Sequence, residues 1–182
     1  MAVETIEKNR TVDVIIPVYK PDAVFETLLE RLGKQNYPIR RIIIMNTEQS
    51  FWKNDAYEAV PNLEVHHVKK SEFDHGGTRN KGASFSEADI MIFMTDDAVP
   101  ADRELIGELV KGLSLRGPAG EPAAVAYARQ LPNSDCALAE KYTRSFNYPD
   151  QSRIKTKGDL KELGIKTFFA SNVCCAYDRK LF

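Results

Sequence analysis

Asp96 and Asp97 stand side by side one residue after the apolar run IMIFM, where two like charges are unwelcome unless something compensates them. Two readings are open. Acids favour helix starts and turns, so the pair could form a polar turn capping a helix that begins near Ala101. Alternatively, hard carboxylate oxygens at a rigid strand end bind Mg²⁺ or Mn²⁺, and the ion in turn neutralises a diphosphate. The stretch FDHGGTRNKG, Phe73 to Gly82, bears on the choice. Gly76 and Gly77 permit a close backbone approach, Arg79 offers a planar fork for phosphate or base oxygens, and a helix start beyond them favours anions. Its plain alternative is a glycine turn with a solvated Arg-Asn-Lys face. The stretch contains no GxGxxG, which disfavours a dinucleotide fold of the usual type.

Other residues with chemical potential read more simply. His66 and His67 are consecutive on an expected strand, so they point to opposite faces and do not share a metal; a structural or surface role is expected. His75 lies beside Asp74, which could orient its imidazole, although sequence neighbours rarely pair in that way. The three cysteines, Cys136, Cys174 and Cys175, form neither an even disulfide set nor a spaced zinc motif, and are expected to be reduced and structural. Phe146, Tyr148, Phe168 and Phe169 are expected in the core rather than as a sugar platform. Lys69 and Lys70 read as the solvated end of a strand.

The elements that must position these groups follow from periodicity. Val12 to Val18 is a β-branched run ended by Pro17, and Arg41 to Met45 is a second buried strand. Between them, Val24, Phe25, Leu28, Leu29 and Leu32 fall one turn apart, with Pro21 suited to the first turn of a helix and Gly33 near its end. Leu63 to Val68 is a third strand, Gly76 to Ala88 a helix, and Asp89 to Met94 the fourth and most apolar strand. Leu105, Ile106, Leu109, Val110 and Leu113 give another helix, stopped by Arg116 to Pro122, after which AAVAYAR re-enters the sheet. This alternation is an α/β fold with a mainly parallel sheet, and such sheets bind ligands beyond the carboxyl ends of their strands. Four ends are thereby singled out: Pro17 to Lys20, Asn46 to Glu48, Phe73 to Gly82, and Thr95 to Asp97.

Composition limits what this edge can serve. With 182 residues, 43% of them hydrophobic, the chain can bury one substantial core, so a single domain is expected. A net charge of -1 offers no global field for nucleic acid or an anionic membrane. The apolar runs are far shorter than the roughly 20 residues of a membrane span, and the polar start MAVETIEKNR has no secretory h-region. A cytoplasmic protein is expected, with attachment to the inner face of the plasma membrane through a partner left open.

IIPVYKPD, HGGTRNKG and TDDAVP, in that order, resemble the nucleotide-sugar domain of family 2 glycosyltransferases, and FDHGGTRNKG is similar to its rhamnosyltransferase-like branch. The resemblance implies a GT-A fold, a Rossmann-like three-layer α/β/α architecture. It also implies a UDP- or dTDP-linked sugar donor, a saccharide or lipid-linked acceptor, Mg²⁺ or Mn²⁺, and metal-assisted inverting transfer of a hexose in polysaccharide biosynthesis. Carried over by position, Pro17, Val18 and Tyr19 line the base and ribose pocket, Arg79 faces the nucleotide with Gly77 beside it, and Asn172 lies near the donor or acceptor. Asp97 is the metal carboxylate and Asp96 its neighbour near the ribose or ion. Thr95 replaces the first acid of the family's usual DDD, and Asn46 replaces an aspartate that reads the pyrimidine imide; its amide can both donate and accept. The family's catalytic acid falls beyond Phe182, and Asp178 to Phe182 read as a helix start cut short, so a C-terminally truncated family domain spanning residues 1–182 is expected. Two other functions compete: a sugar-1-phosphate nucleotidyltransferase, although IIPVYKPD lacks its glycine-rich signature, and a nucleotide-sugar-binding module without transfer.

Overall fold

Alternation in VDVIIPVY sends Val12, Val14, Ile16 and Val18 to one face of β1 (Val12–Tyr19) and Ile15 to the other, and all five are buried. This computed structural model describes residues 10–53, 57, 60–132 and 136–182; residues 1–9 of the polar start lie outside it. β1 does not end at Pro17 as expected. It pairs with β4 (Ile90–Met94) only as far as Ile15, so the missing N–H of Pro17 falls past that ladder, and the strand continues beside β2 (Arg41–Thr47) to Tyr19.

β3 (Leu63–Val68) completes the parallel set, and the sheet order is β3-β2-β1-β4-β6-β5. The return of AAVAYAR is a three-residue strand, β5 (Val125–Tyr127), placed at the far edge. The position beside β4 is taken by β6 (Cys174–Asp178), antiparallel to both neighbours. Cys174 and Cys175 accordingly enter opposite cores, and His66 and His67 lie on opposite faces of β3.

Helices cover both faces, giving the three layers expected. α1 (Ala23–Leu32) buries Phe25, Leu28, Leu29 and Leu32, while Val24 is 43% exposed. Pro21 lies ahead of its first turn, because Asp22 is the cap and accepts from the amides of Val24 and Phe25. α2 (His75–Phe85) starts earlier than expected: Asp74 caps it by accepting from Gly76 and Gly77, so the glycine pair lies inside the first turn. A Cβ at Gly77 would collide with the Asp74 carboxylate, which explains glycine there. Further along, a Cβ at Gly82 would come within 2.6 Å of Ile15 Cγ2, so this position lets α2 lie close on the sheet. α3 (Leu105–Ser114) buries Ile106, Leu109, Val110 and Leu113 on the α1 side and begins four residues after Ala101, so the acids at 96 and 97 do not cap it. α4 (Leu138–Asn147) and the single turn α5 (Leu160–Leu163) bury nothing.

A charged residue is fully buried near the start of β1 in this sheet. Asp13 is 0% exposed, and its carboxylate accepts from Arg40 Nη2 at 2.6 Å, Arg40 Nε at 3.0 Å, Ser86 Oγ at 2.8 Å and Arg41 Nη2 at 3.4 Å. Burial alone would raise its pKa, but the bonds from Arg40 and Ser86 and the charges of both arginines outweigh it, and the carboxyl titrates below its usual value. Ser86 is the residue on which α2 ends, so the same carboxylate fixes the helix end, which was expected near Ala88. A depressed folded pKa contributes stability above the ordinary carboxylate range, and that contribution is lost as pH falls through the folded value. Asp13→Asn is therefore expected to lower unfolding free energy by about 3 kcal/mol at neutral pH, and to flatten the loss of stability on acidification. Urea denaturation of both proteins across the acid range checks this; parallel curves would remove Asp13 from its role.

Candidate functional site

The parallel strands β1 to β4 end at one edge, and because β6 runs the other way, its beginning, preceded by Asn172 and Val173, falls there too. Register aligns the ends: Tyr19 lies beside Thr47, and Asn46 beside both Val18 and His67. The Tyr19 amide donates to Asp96 Oδ2 at 3.4 Å, joining the ends of β1 and β4, and the Thr95 amide donates to the Val173 carbonyl at 3.0 Å, joining β4 to the β6 side. Thr95 Oγ1 donates to Asp97 Oδ1 at 2.6 Å. The residue that departs from the acidic pattern thus orients the acid that follows it.

Asp96 is half-buried and Asp97 exposed. Burial pushes the Asp96 carboxyl above its usual pKa; amide hydrogen bonds, that of Tyr19 first, oppose this, and the charges of Asp97 and Asp22 add to it. A carboxylate held against burial and a like-charged neighbour is one that a cation would relieve. Among the described residues no group of three or more His, Cys, Asp or Glu forms a protein cage for a metal. Two carboxylates still suit Mg²⁺ or Mn²⁺, whose shells are commonly completed by water and substrate phosphates.

The other expected residues fall into two groups around this centre. Asn46 is 0% exposed; its Nδ2 donates to the Glu48 carbonyl and to His67 Nδ1, both at 3.0 Å, and its Oδ1 is buried without a partner. Val18 is 2% exposed, so its side chain supports the edge from within the core, while Pro17 is half-buried. The second group lies on the α2 side. Arg79 donates from Nη1 to the His75 carbonyl at 2.9 Å, its Nε is buried without a partner, and its charge reaches Cys175 and Tyr177. Asn172 Oδ1 accepts from Cys175 Sγ and Tyr177 Oη, both at 3.0 Å. Gly77 lies nearby on the same helix, but its N–H is already given to Asp74. His75 packs edge-on against Phe73, while Asp74 serves as the cap.

All three cysteines are free, and burial pushes the Cys174 thiol up to about 12 and the Cys175 thiol up to about 11, so both are neutral thiols in a structural setting. One reading needs correction. Phe146, Phe168 and Phe169 are 60%, 64% and 39% exposed, and Tyr148 is half-buried, so this aromatic set is not core. The sheet and its two layers of helices fill the core without them. Lys69 and Lys70 are exposed, as expected, and Lys70 Nζ also lies 5.5 Å from the centroid of the Tyr19 ring. The Tyr19 ring also meets Phe51 edge-on at 5.6 Å and Lys20 Nζ at 5.2 Å. Phe51 carries no periodic or motif signal that would have marked it, and Lys20, although inside the singled-out end Pro17 to Lys20, has no role assigned to it there.

Residues 13–182 match the family model for glycosyl transferase family 2. The chain is 34% identical over 180 residues to the O-antigen chain rhamnosyltransferase RfbN of Salmonella typhimurium, and 37% identical over 172 residues to the O-antigen chain rhamnosyltransferase WbaN of Salmonella anatum. These matches cover 94% and 93% of this chain but 53% and 52% of the relatives, so the chain spans about half the length of the curated relatives it matches. Among solved structures, the mannosyltransferase PcManGT from Pyrobaculum calidifontis, in complex with GDP-Man and Mn²⁺, is similar with a TM-score of 0.59 over 98% of this chain and 49% of that one, at 15% identity. That likeness bears on the fold, and the fold agrees with the family that the sequence indicates over residues 13–182: the chain belongs to glycosyl transferase family 2.

Proposed function

We propose that residues 1–182 act as one nucleotide-sugar-binding domain, which holds a UDP- or dTDP-linked donor along the carboxyl edge for transfer of its sugar to a saccharide or lipid-linked acceptor with inversion. The names of the two relatives support rhamnose as the first candidate sugar and polysaccharide assembly as the setting. The observation that carries the reading is the junction of β1 and β4, where the Tyr19 amide holds Asp96 and the Thr95 hydroxyl holds Asp97.

The buried amide of Asn46 supports the base assignment. The Glu48 carbonyl can only accept, so the amide nitrogen faces it, and the second amide hydrogen goes to His67 Nδ1. Both donors are then spent, and Oδ1 is left as an acceptor without a partner, buried with the rest of the side chain, so that a base reaches it only if the end of β2 opens. Uracil, thymine and guanine carry a ring N–H for such an acceptor; cytosine and adenine do not. The amide is thus compatible with a base that carries a ring N–H, without selecting among uracil, thymine and guanine.

A bound Mg²⁺ or Mn²⁺ would be held by Asp97 with Asp96 beside it, and would stabilise negative charge on the departing nucleoside diphosphate. The protein's own contribution is orientation. Thr95 presents Asp97, Tyr19 offers an aromatic face at the base and ribose end with Pro17 and Val18 behind it, and Arg79 and Asn172 stand towards the donor from the α2 side, with Gly77 next to them. None of these residues is assigned the acceptor's proton.

No described helix is long and apolar enough to cross a membrane. A working position at the inner, cytoplasmic face of the plasma membrane is supported by α4, which exposes Leu138, Tyr142 and Phe146 on one side, with Lys166 Nζ 3.8 Å from the Phe146 centroid in a segment that also exposes Ile165 and Phe168. Residues 138–169 carry seven Lys or Arg against four Asp or Glu. Cosedimentation with phosphatidylglycerol vesicles should be lost on Tyr142→Ser with Phe146→Ser; equal pelleting of both proteins would refute the placement. For the site itself, calorimetry with UDP- and dTDP-sugars is expected to show binding that Mn²⁺ strengthens. Asp97→Ala should weaken it at least about thirtyfold. Unchanged affinity in Mn²⁺ would reject the role of Asp97, and failure of both donor classes to bind would reject the reading as a whole.

A further inference from the structure

Lys20 and Lys70 hold two ammonium groups against one aromatic ring at the edge where Asp96 and Asp97 emerge. Lys20 Nζ is 5.2 Å from the Tyr19 centroid and 5.0 Å from that of Phe51, and Lys70 Nζ is 5.5 Å from Tyr19. Among the described residues neither ammonium has a carboxylate within ion-pair distance, nor do Asp96 and Asp97 have a cationic partner there. Elsewhere, Lys34, Arg40, Arg41, Lys111, Arg144 and Arg153 all find one.

The backbone holds this arrangement in an unfavourable conformation. Lys20 (φ 55°) and Glu48 (φ 66°) both adopt left-handed backbone without being glycine, directly after β1 and β2. The turn at Glu48 brings its carboxylate to accept from the Lys70 amide, which fixes where Lys70 leaves β3. Phe51 ends the one-turn helix Gln49–Phe51 that follows Glu48, and so reaches Tyr19. Three separate chain segments thus converge on the Tyr19 ring, which is 39% exposed, and on Phe51, which is 36% exposed.

We propose that Lys20 and Lys70 form an anion subsite that takes the phosphates of a nucleoside diphosphate while Tyr19 and Phe51 take its base. The inference rests on the donor reading above and adds a second source of charge neutralisation to it. Two ammonium groups lie against the Tyr19 ring and the Tyr19 amide binds Asp96, next to Asp97, and among the described residues no ion pair joins the two sets. A nucleoside diphosphate accompanied by one divalent cation satisfies both sets, because its phosphates face the ammonium groups and its cation faces the carboxylates. Part of the affinity for the nucleotide must then survive without metal, and must come from the lysines.

The test is an NMR titration of the chain with dTDP and with UDP in EDTA, with thymidine and uridine as uncharged probes. Wild type is compared with Lys20→Gln/Lys70→Gln, with Lys20→Arg/Lys70→Arg, and with Lys34→Gln as a control. The glutamine pair is expected to weaken diphosphate binding at least about tenfold and to flatten its salt dependence. Nucleoside shifts at Tyr19 and Phe51 should persist, and the arginine pair should bind like wild type. Equal diphosphate affinity in wild type and the glutamine pair would overturn the inference while leaving the donor reading intact. Loss of nucleoside binding along with diphosphate binding would also overturn it, since the lysines would then only hold the rings in place. If wild type binds no nucleoside diphosphate with or without Mn²⁺, the donor reading itself fails.

Discussion

Everything at the carboxyl edge depends on how β1 is held at its other end, and that is the work of the buried Asp13 carboxylate. An ionised group in an apolar sheet costs far more than it returns unless every lone pair is met. Here two arginines at the start of β2 and the serine that ends α2 meet them. One side chain therefore fixes two strands and a helix at once. Six residues on, about 20 Å along an extended strand, the same β1 delivers Tyr19 beside Thr47 and within reach of Asp96.

The two ends of the sheet treat charge in opposite ways. At Asp13 every charge is matched within the fold, and the depressed pKa records it. At the far edge, among the described residues, Asp96 and Asp97 have no cationic partner, with the Asp96 pKa displaced upward, and Lys20 and Lys70 have no anionic one. Sets of like charge left unmatched add nothing to folding stability, so their retention is understood through what binds. The proposed metal-accompanied nucleoside diphosphate would supply both counter-charges, which would tie the fold to the transferase reading of the family.

Much of this was legible in the sequence because it is local. Continuous apolar runs gave the strands, their ends gave the edge, and Asp96-Asp97 and the glycine stretch marked chemistry there. The cap at Asp74 was also local, yet the glycine pair drew attention away from the aspartate that folds over it. What stayed hidden acts over distance. Asp13 looks like one interruption in VDVIIPV, since its partners lie 27, 28 and 73 residues away. The Tyr19, Phe51 and Lys70 cluster depends on left-handed turns after two different strands, and nothing in the residue types of Lys20 or Glu48 requires such a turn. The exposed aromatic set read as core because ring size favours burial, whereas the sheet and its helices had already filled the interior.

The central claim is that the junction of β1 and β4 is where a metal-accompanied nucleoside diphosphate binds. The most direct measurement is anomalous scattering from crystals of the chain grown with Mn²⁺ and dTDP. The account predicts one manganese peak in contact with the Asp97 carboxylate and the diphosphate, with the base against Tyr19. A nucleotide bound without manganese at Asp97, or a peak away from the ends of β1 and β4, would contradict it.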